Sequence, residues 1–178
     1  MLPNIIDLEA SGFGKQSYPI EVGYILGNGD SFCSLIKPAE GWDRWDEAAE
    51  KAHGINQQIL HEVGKPVAEI AQIINRQLSG EIIYSDAWGN DSSWLGLLFD
   101  VANMPMRFRM DSIRSLLTEE QAANWHDTKE RVIESTPLKR HRASSDAAIL
   151  QKTFALVLEK KSENSMTQLF TKPELLKI

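Results

Sequence analysis

Apolar and polar positions change their period along this chain, and the changes mark out its elements. Up to residue 37 the signature is that of strands. Residues 4–9 are apolar with carboxylates at the end, residues 18–26 are rich in β-formers, and residues 32–36 follow a turn containing Asn28 and Gly29. Asn-Gly tolerates positive φ, so the second and third strands are expected to form an antiparallel hairpin, ended by Pro38. The period then lengthens to that of helices. Residues 46–53 suit a short helix stopped by Gly54, and Asn56 can cap a second one reaching Gly64. Pro66 sits where a first helical turn accepts it, and Val67, Ile70, Ile74 and Leu78 fall on one stripe before Gly80.

Residues 81–85 read as a fourth strand, 91–102 as a helix with Trp94, Leu95, Leu98 and Phe99 on its apolar side, and 108–113 as a fifth strand. Thr118 with Gln121 has the form of a capping box opening a helix to about residue 135, and Ser144 or Ser145 can cap a last long helix to about residue 160. A meander of strands followed by helices and strands in alternation implies an α/β fold, a mixed five-stranded sheet flanked by helices. From Lys160 the text turns polar and linker-like, and its weakly apolar end, with Leu169, Phe170, Leu175 and Leu176, is open between a short docked helix and a partner contact. The expected layout is one domain over residues 1–160 and a tail over 161–178.

Composition narrows the class. With 42% apolar and 25% charged residues in 178, the chain is expected to build one real hydrophobic core. No apolar run approaches the roughly 20 residues of a membrane span, and the start has no signal-peptide core, so the cytoplasm is the expected compartment. The single cysteine, Cys33, has no partner for an internal disulfide and is expected to be a buried strand residue. A net charge of -6 argues against a protein that coats nucleic acid through a basic surface. It argues less against one that cleaves it, because metal-bound carboxylates would supply part of the negative charge.

Three stretches carry candidate chemistry. Asp7 and Glu9 end the first strand two positions apart, so both carboxylates project to one face while Ile6 and Leu8 take the other. A hard divalent cation would relieve their repulsion; the plainer alternative is a strand end with two solvated acids. His141 falls in the loop before the last helix and Asp146 in its first turn, where an acid also serves simply to complement the helix dipole. Asp91 lies just beyond the fourth strand, with Asp86 at the strand's end as its competitor, and either can be a cap or turn residue.

Taken in order, these pieces resemble the DEDDh exonuclease superfamily, which includes the proofreading subunit of bacterial replicative polymerase, ribonuclease T and oligoribonuclease. The resemblance covers about residues 4–155. It rests on Ile6-Asp7-Leu8-Glu9-Ala10-Ser11-Gly12-Phe13-Gly14, on Ile20-Glu21-Val22-Gly23, on His53-Gly54-Ile55 followed by Leu60, and most specifically on His141-Arg142-Ala143 with Asp146-Ala147. The second motif departs from the family pattern. Members usually show an Asn about four residues before the catalytic Asp and an aromatic just before it; here Asp86 lies five before Asp91, and Asn90 replaces the aromatic. Asp91 is aligned because Trp94-Leu95 matches the aromatic-Leu pair that follows, and Asp86 stays open.

The resemblance implies a ribonuclease H-like sheet with its first three strands antiparallel. It also implies a 3′→5′ exonuclease releasing nucleoside 5′-monophosphates from single-stranded nucleic acid, through two magnesium or manganese ions. Asp7 would bridge the ions, Glu9 and Asp146 would hold one, Asp91 would steady the other, and His141 would be the general base. Ala10, Ser11, Gly12 and Phe13 would surround the 3′-terminal sugar and base, with His53 and Arg142 as further substrate contacts. RNA is slightly preferred over DNA, since a short stand-alone domain resembles the RNA-trimming members. The implied partner is a nucleic acid with a free 3′ end and not a membrane; a homodimer and a protein partner stay open. From another class comes a non-catalytic module of the same fold that recognises 3′ ends or a partner.

Overall fold

The computed structural model describes residues 1–170, with side chains as far as Glu159. Five strands form one mixed sheet. β1 (Asn4–Ala10), β2 (Pro19–Ile25) and β3 (Ser31–Leu35) are antiparallel neighbours, while β4 (Ile82–Ser85) and β5 (Arg109–Ser112) run parallel to β1, in the order β3-β2-β1-β4-β5. The β2–β3 turn is closed by Leu26 N–H donating to the Asp30 carbonyl, with Gly29 at φ +93° as the Asn-Gly pair requires. Cys33 is exposed, contrary to expectation, because β3 is an edge strand.

Helices cover both faces. On one side α3 (Val67–Leu78) lays Ile70, Ile74 and Leu78, and α4 (Trp88–Val101) lays Trp94, Leu95 and Leu98, against Ile6, Leu8 and Ala10 of β1. On the other, α7 (Ala143–Phe170) packs Ala147, Leu150 and Phe154 on Ile5. The even residues of β1 therefore bury in one core while its odd residues face α7. Two short helices, α1 (Glu47–His53) and α2 (Gln57–Val63), close the end of the sheet near Tyr18, Ile20, Ile55 and Leu60. Asp46 caps α1, Asn56 caps α2, and Gly54 ends α1 at φ +69°, as the sequence indicated.

Three boundaries differ from expectation. The segment opened by Thr118 has its capping box but divides at Asn124 into α5 (Glu119–Ala123) and α6 (Trp125–Ser135). α4 begins at Trp88, so Asp91 lies within its first turn rather than opening it. α7 begins before Ser144 and continues to Phe170, because Lys, Glu and Ser after Lys160 include no Gly or Pro to stop it. Leu175 and Leu176 of the expected tail lie outside the described residues. Among the described residues no helix is long and apolar enough to cross a membrane.

Candidate active site

The carboxyl end of β1 opens into a cleft of about 270 Å³. Asp7, Glu9, Ala10, Gly12, Phe13, His53, Asp91, His141 and Asp146 all line it, and so does Asp86. Four segments meet there: β1 and the loop after it, the end of α1, the start of α4, and the loop leading into α7.

Glu9, His141 and Asp146 each offer a ligand atom, and these atoms lie within 4.8 Å of one another. Asp146 is held by its own helix start: His141 N–H donates to its Oδ2 at 2.9 Å and Arg140 Nε to its Oδ1 at 2.8 Å. His141 adopts φ +58°, a left-handed conformation that few residues other than glycine take, and its ring stands exposed at the rim. Asp91 is almost fully buried, and its Oδ2 accepts from the Ser85 hydroxyl at the end of β4. Asp86 turns to a cation instead, pairing with Lys129 of α6.

Packing these acids together has a measurable electrostatic consequence. Burial, then the charges of Asp91, Asp146, Glu9 and Asp86, push the Asp7 carboxyl well above the usual carboxylate range. Burial, then Asp146, Glu21 and Asp91, raise Glu9 to about 8, with Arg142 opposing. Burial lifts Asp91 to about 7, against the Ser85 hydrogen bond. Acids so destabilised in ionised form fit a hard divalent cation, which favours oxygen ligands and would stabilise every one of those charges. The donor set suits magnesium or manganese, with one imidazole at its edge.

The loop after β1 is braced from several sides. Arg44 donates to the carbonyls of Phe13 and Lys15, both at 3.0 Å, and Asp46 N–H donates to the Ser11 carbonyl at 2.9 Å. A Cβ on Gly12 would lie 2.8 Å from that of Asp46, so the close approach needs glycine. Phe13 is 67% exposed with its ring 6.0 Å from that of Trp94, an apolar face presented at the cleft. His53 is buried; its Nδ1 accepts from Ile55 N–H at 3.0 Å, which leaves the proton on Nε2, an atom with no hydrogen-bond partner among the described residues. Burial lowers its pKa.

Two side chains among the expected substrate contacts find partners within the fold. Ser11 is fully buried, its hydroxyl accepting from Tyr18 N–H at 3.2 Å. Arg142 turns from the cleft to Glu21, with Nη2 2.6 Å from Oε1. Sequence reasoning passed over Lys129 and Ser85 as site residues, and nothing in an amphipathic helix distinguishes Lys129 in advance. Arg140, which flanks His141 with Lys139 and Arg142, reads from sequence as either a phosphate contact or solvated surface, and its partner in the structure is Asp146.

The sheet order, the acid-bearing central strand and the helices on both faces define a ribonuclease H-like α/β fold of the kind exonucleases use. No protein-family model and no curated protein matches the chain in sequence. Among solved structures, it is similar to E. coli exonuclease I in a zinc-bound complex with single-stranded DNA, at a TM-score of 0.68 and 15% identity over 96% of this chain and 43% of that one. The E. coli enzyme in complex with a dT13 oligonucleotide gives a TM-score of 0.69 at 14% identity, over 94% of this chain and 43% of that one. Exonuclease I from Methylocaldum szegediense gives 0.55 at 16% identity, over 68% and 29%. The chain spans less than half the length of these enzymes, and identity this low shows a shared fold.

Proposed function

We propose that this chain is a metal-dependent 3′→5′ exonuclease acting on single-stranded nucleic acid. One observation carries the proposal: acids from β1, α4 and α7, far apart in sequence, converge with His141 on one cleft, where burial and then the neighbouring acids raise the pKa of Asp7 and Glu9. Asp7, Glu9, Asp91 and Asp146 are the residues to hold the ions. Bound magnesium or manganese, as two ions, would supply an acidified water and neutralise charge on the scissile phosphate. His141, exposed at the rim, takes the proton of the attacking water, and the product is a nucleoside 5′-monophosphate.

Phe13 offers its face to the terminal base, and the fixed main chain from Ala10 to Gly12 borders the sugar. His53 Nε2 is a buried donor beside that sugar pocket. For the polymer, the neighbours' bound oligonucleotides favour single-stranded DNA, whereas the preference for RNA rested on domain layout alone. The cleft holds an intact acid set beside an imidazole, which favours cleavage over a module that only binds ends. Matched DNA and RNA strands, labelled at either end and incubated with manganese, test this. Mononucleotide release from the 3′ end, stopped by EDTA, is expected; tight binding without release would establish the binding module instead.

A further inference from the structure

Ile20-Glu21-Val22-Gly23 has no part in the reaction proposed above, yet two of its residues hold the start of α7. β2 is buried along nearly its whole length, and Glu21 is 0% exposed in the middle of it. A lone carboxylate there needs compensation from several donors. It has them. Arg142 Nε reaches Oε1 and Oε2 at 3.1 and 3.2 Å, Arg142 Nη2 reaches Oε1 at 2.6 Å, and the Ala143 amide donates to Oε2 at 2.9 Å.

Two residues on, Gly23 faces the same side of the strand. A Cβ there would stand 2.3 Å from the Ser144 nitrogen and 2.5 Å from the Ala143 carbonyl carbon, so β2 and the first turn of α7 are in backbone contact. Glycine provides the room and Glu21 provides the bonds. Between the two anchored ends, Arg140 to Asp146 and Arg142 to Glu21, His141 is left in its left-handed conformation with its side chain on the cleft.

We infer that Glu21 is a positioning residue: by gripping Arg142 and the Ala143 amide from inside the sheet, it sets the turn that presents His141 and Asp146 to Glu9. The inference rests on the exonuclease reading of the cleft. Glu21 does not line the cleft. A buried ion pair that only stabilised the fold would sit equally well anywhere along β2; this one engages the residue directly after His141.

The test uses the full chain with Glu21→Gln, which keeps the shape and loses the charge, and Arg142→Lys, which leaves Glu21 intact and removes the two-pronged contact. Both are expected to lower kcat on a single-stranded oligonucleotide with manganese by about 10–100-fold, the range for residues that orient a metal site from behind. KM should change little. Amide hydrogen exchange at Ala143 in the metal-free protein should quicken, while the rest of β2 keeps its protection. Placed on His141→Asn, which tolerates the left-handed turn, Glu21→Gln should cost far less than it does alone, because both act through one group. A variant that melts earlier yet keeps wild-type kcat and Ala143 protection overturns the inference, as does full additivity with His141→Asn. Should Glu21→Gln not fold, Arg142→Lys decides by the same measurements. A wild type that cleaves nothing would fail the exonuclease reading, while the exchange at Ala143 still judges the clamp.

Discussion

Glu9 and Glu21 stand directly opposite each other across the β1–β2 pairing, and their surroundings treat the two carboxylates in opposite ways. Glu21 is ringed by donors from Arg142 and Ala143. Glu9 has no hydrogen-bond donor among the described residues and instead faces Asp146, Glu21 and Asp91, which with burial raise it to about 8. One carboxylate is satisfied by the protein and its neighbour is left for something the protein does not supply. That division is the strongest electrostatic argument for a cation at the end of β1.

It also sets a pH dependence. Glu9 binds its proton more tightly folded, at about 8, than at its ordinary value of 4.5. Folding stability from this group is therefore fully present below pH 4.5 and declines as pH rises toward 8, where it is lost. Asp91, raised to about 7, and Asp7, raised above its ordinary range, act in the same sense. In EDTA the melting temperature should fall between pH 5 and 8. Manganese should restore it, most strongly at the alkaline end, where the ligands have no proton to lose. Thermal melts across that range with and without metal check both halves, and a metal effect that is largest at pH 5 would contradict the assignment.

Asp86 and Asp91 compete for the second-motif role, and their partners separate them. Asp91 is buried, lines the cleft and is held by the Ser85 hydroxyl, whereas Asp86 is neutralised by Lys129. Asp91→Asn should lower turnover by at least about 10²–10³-fold, the size expected when a group stabilising transition-state charge is lost. Asp86→Asn should cost no more than about fivefold, the worth of a partly solvated ion pair. Single-turnover rates for the two variants decide the matter, and the reverse order would move the ligand to Asp86.

Much of this was legible in the chain before its coordinates. Asp7 and Glu9 share a face because a strand repeats every two residues, and the stripe from Val67 to Leu78 could bury in no other way. Element boundaries were harder. Asn124 divides a helix with neither Gly nor Pro to announce it, and Trp88 begins α4 without a side-chain cap. Arg142 reads as a phosphate contact because it adjoins His141, and only the three-dimensional approach of β2 reveals its other partner. The signal was present on the opposite side: an acid at position 21 inside an otherwise apolar strand must find a cation somewhere. Only the Trp94-Leu95 pair ranks Asp91 above Asp86 in the sequence, since Asp suits both a strand end and a first helical turn.

His141 offers the sharpest test of mechanism, because it lies within reach of Glu9 and Asp146 and could serve either as base or as ligand. As base, its removal should slow hydrolysis by about 10²–10⁴-fold and leave metal binding intact. His141→Ala alone is not decisive, since alanine at φ +58° is strained and could disturb the loop. Asn tolerates that conformation, so His141→Asn removes the imidazole while keeping the turn. Both variants should bind manganese with wild-type affinity by calorimetry while single-turnover hydrolysis slows. Loss of manganese affinity in His141→Asn would make the imidazole a ligand, and proton removal would then fall to another group in the cleft.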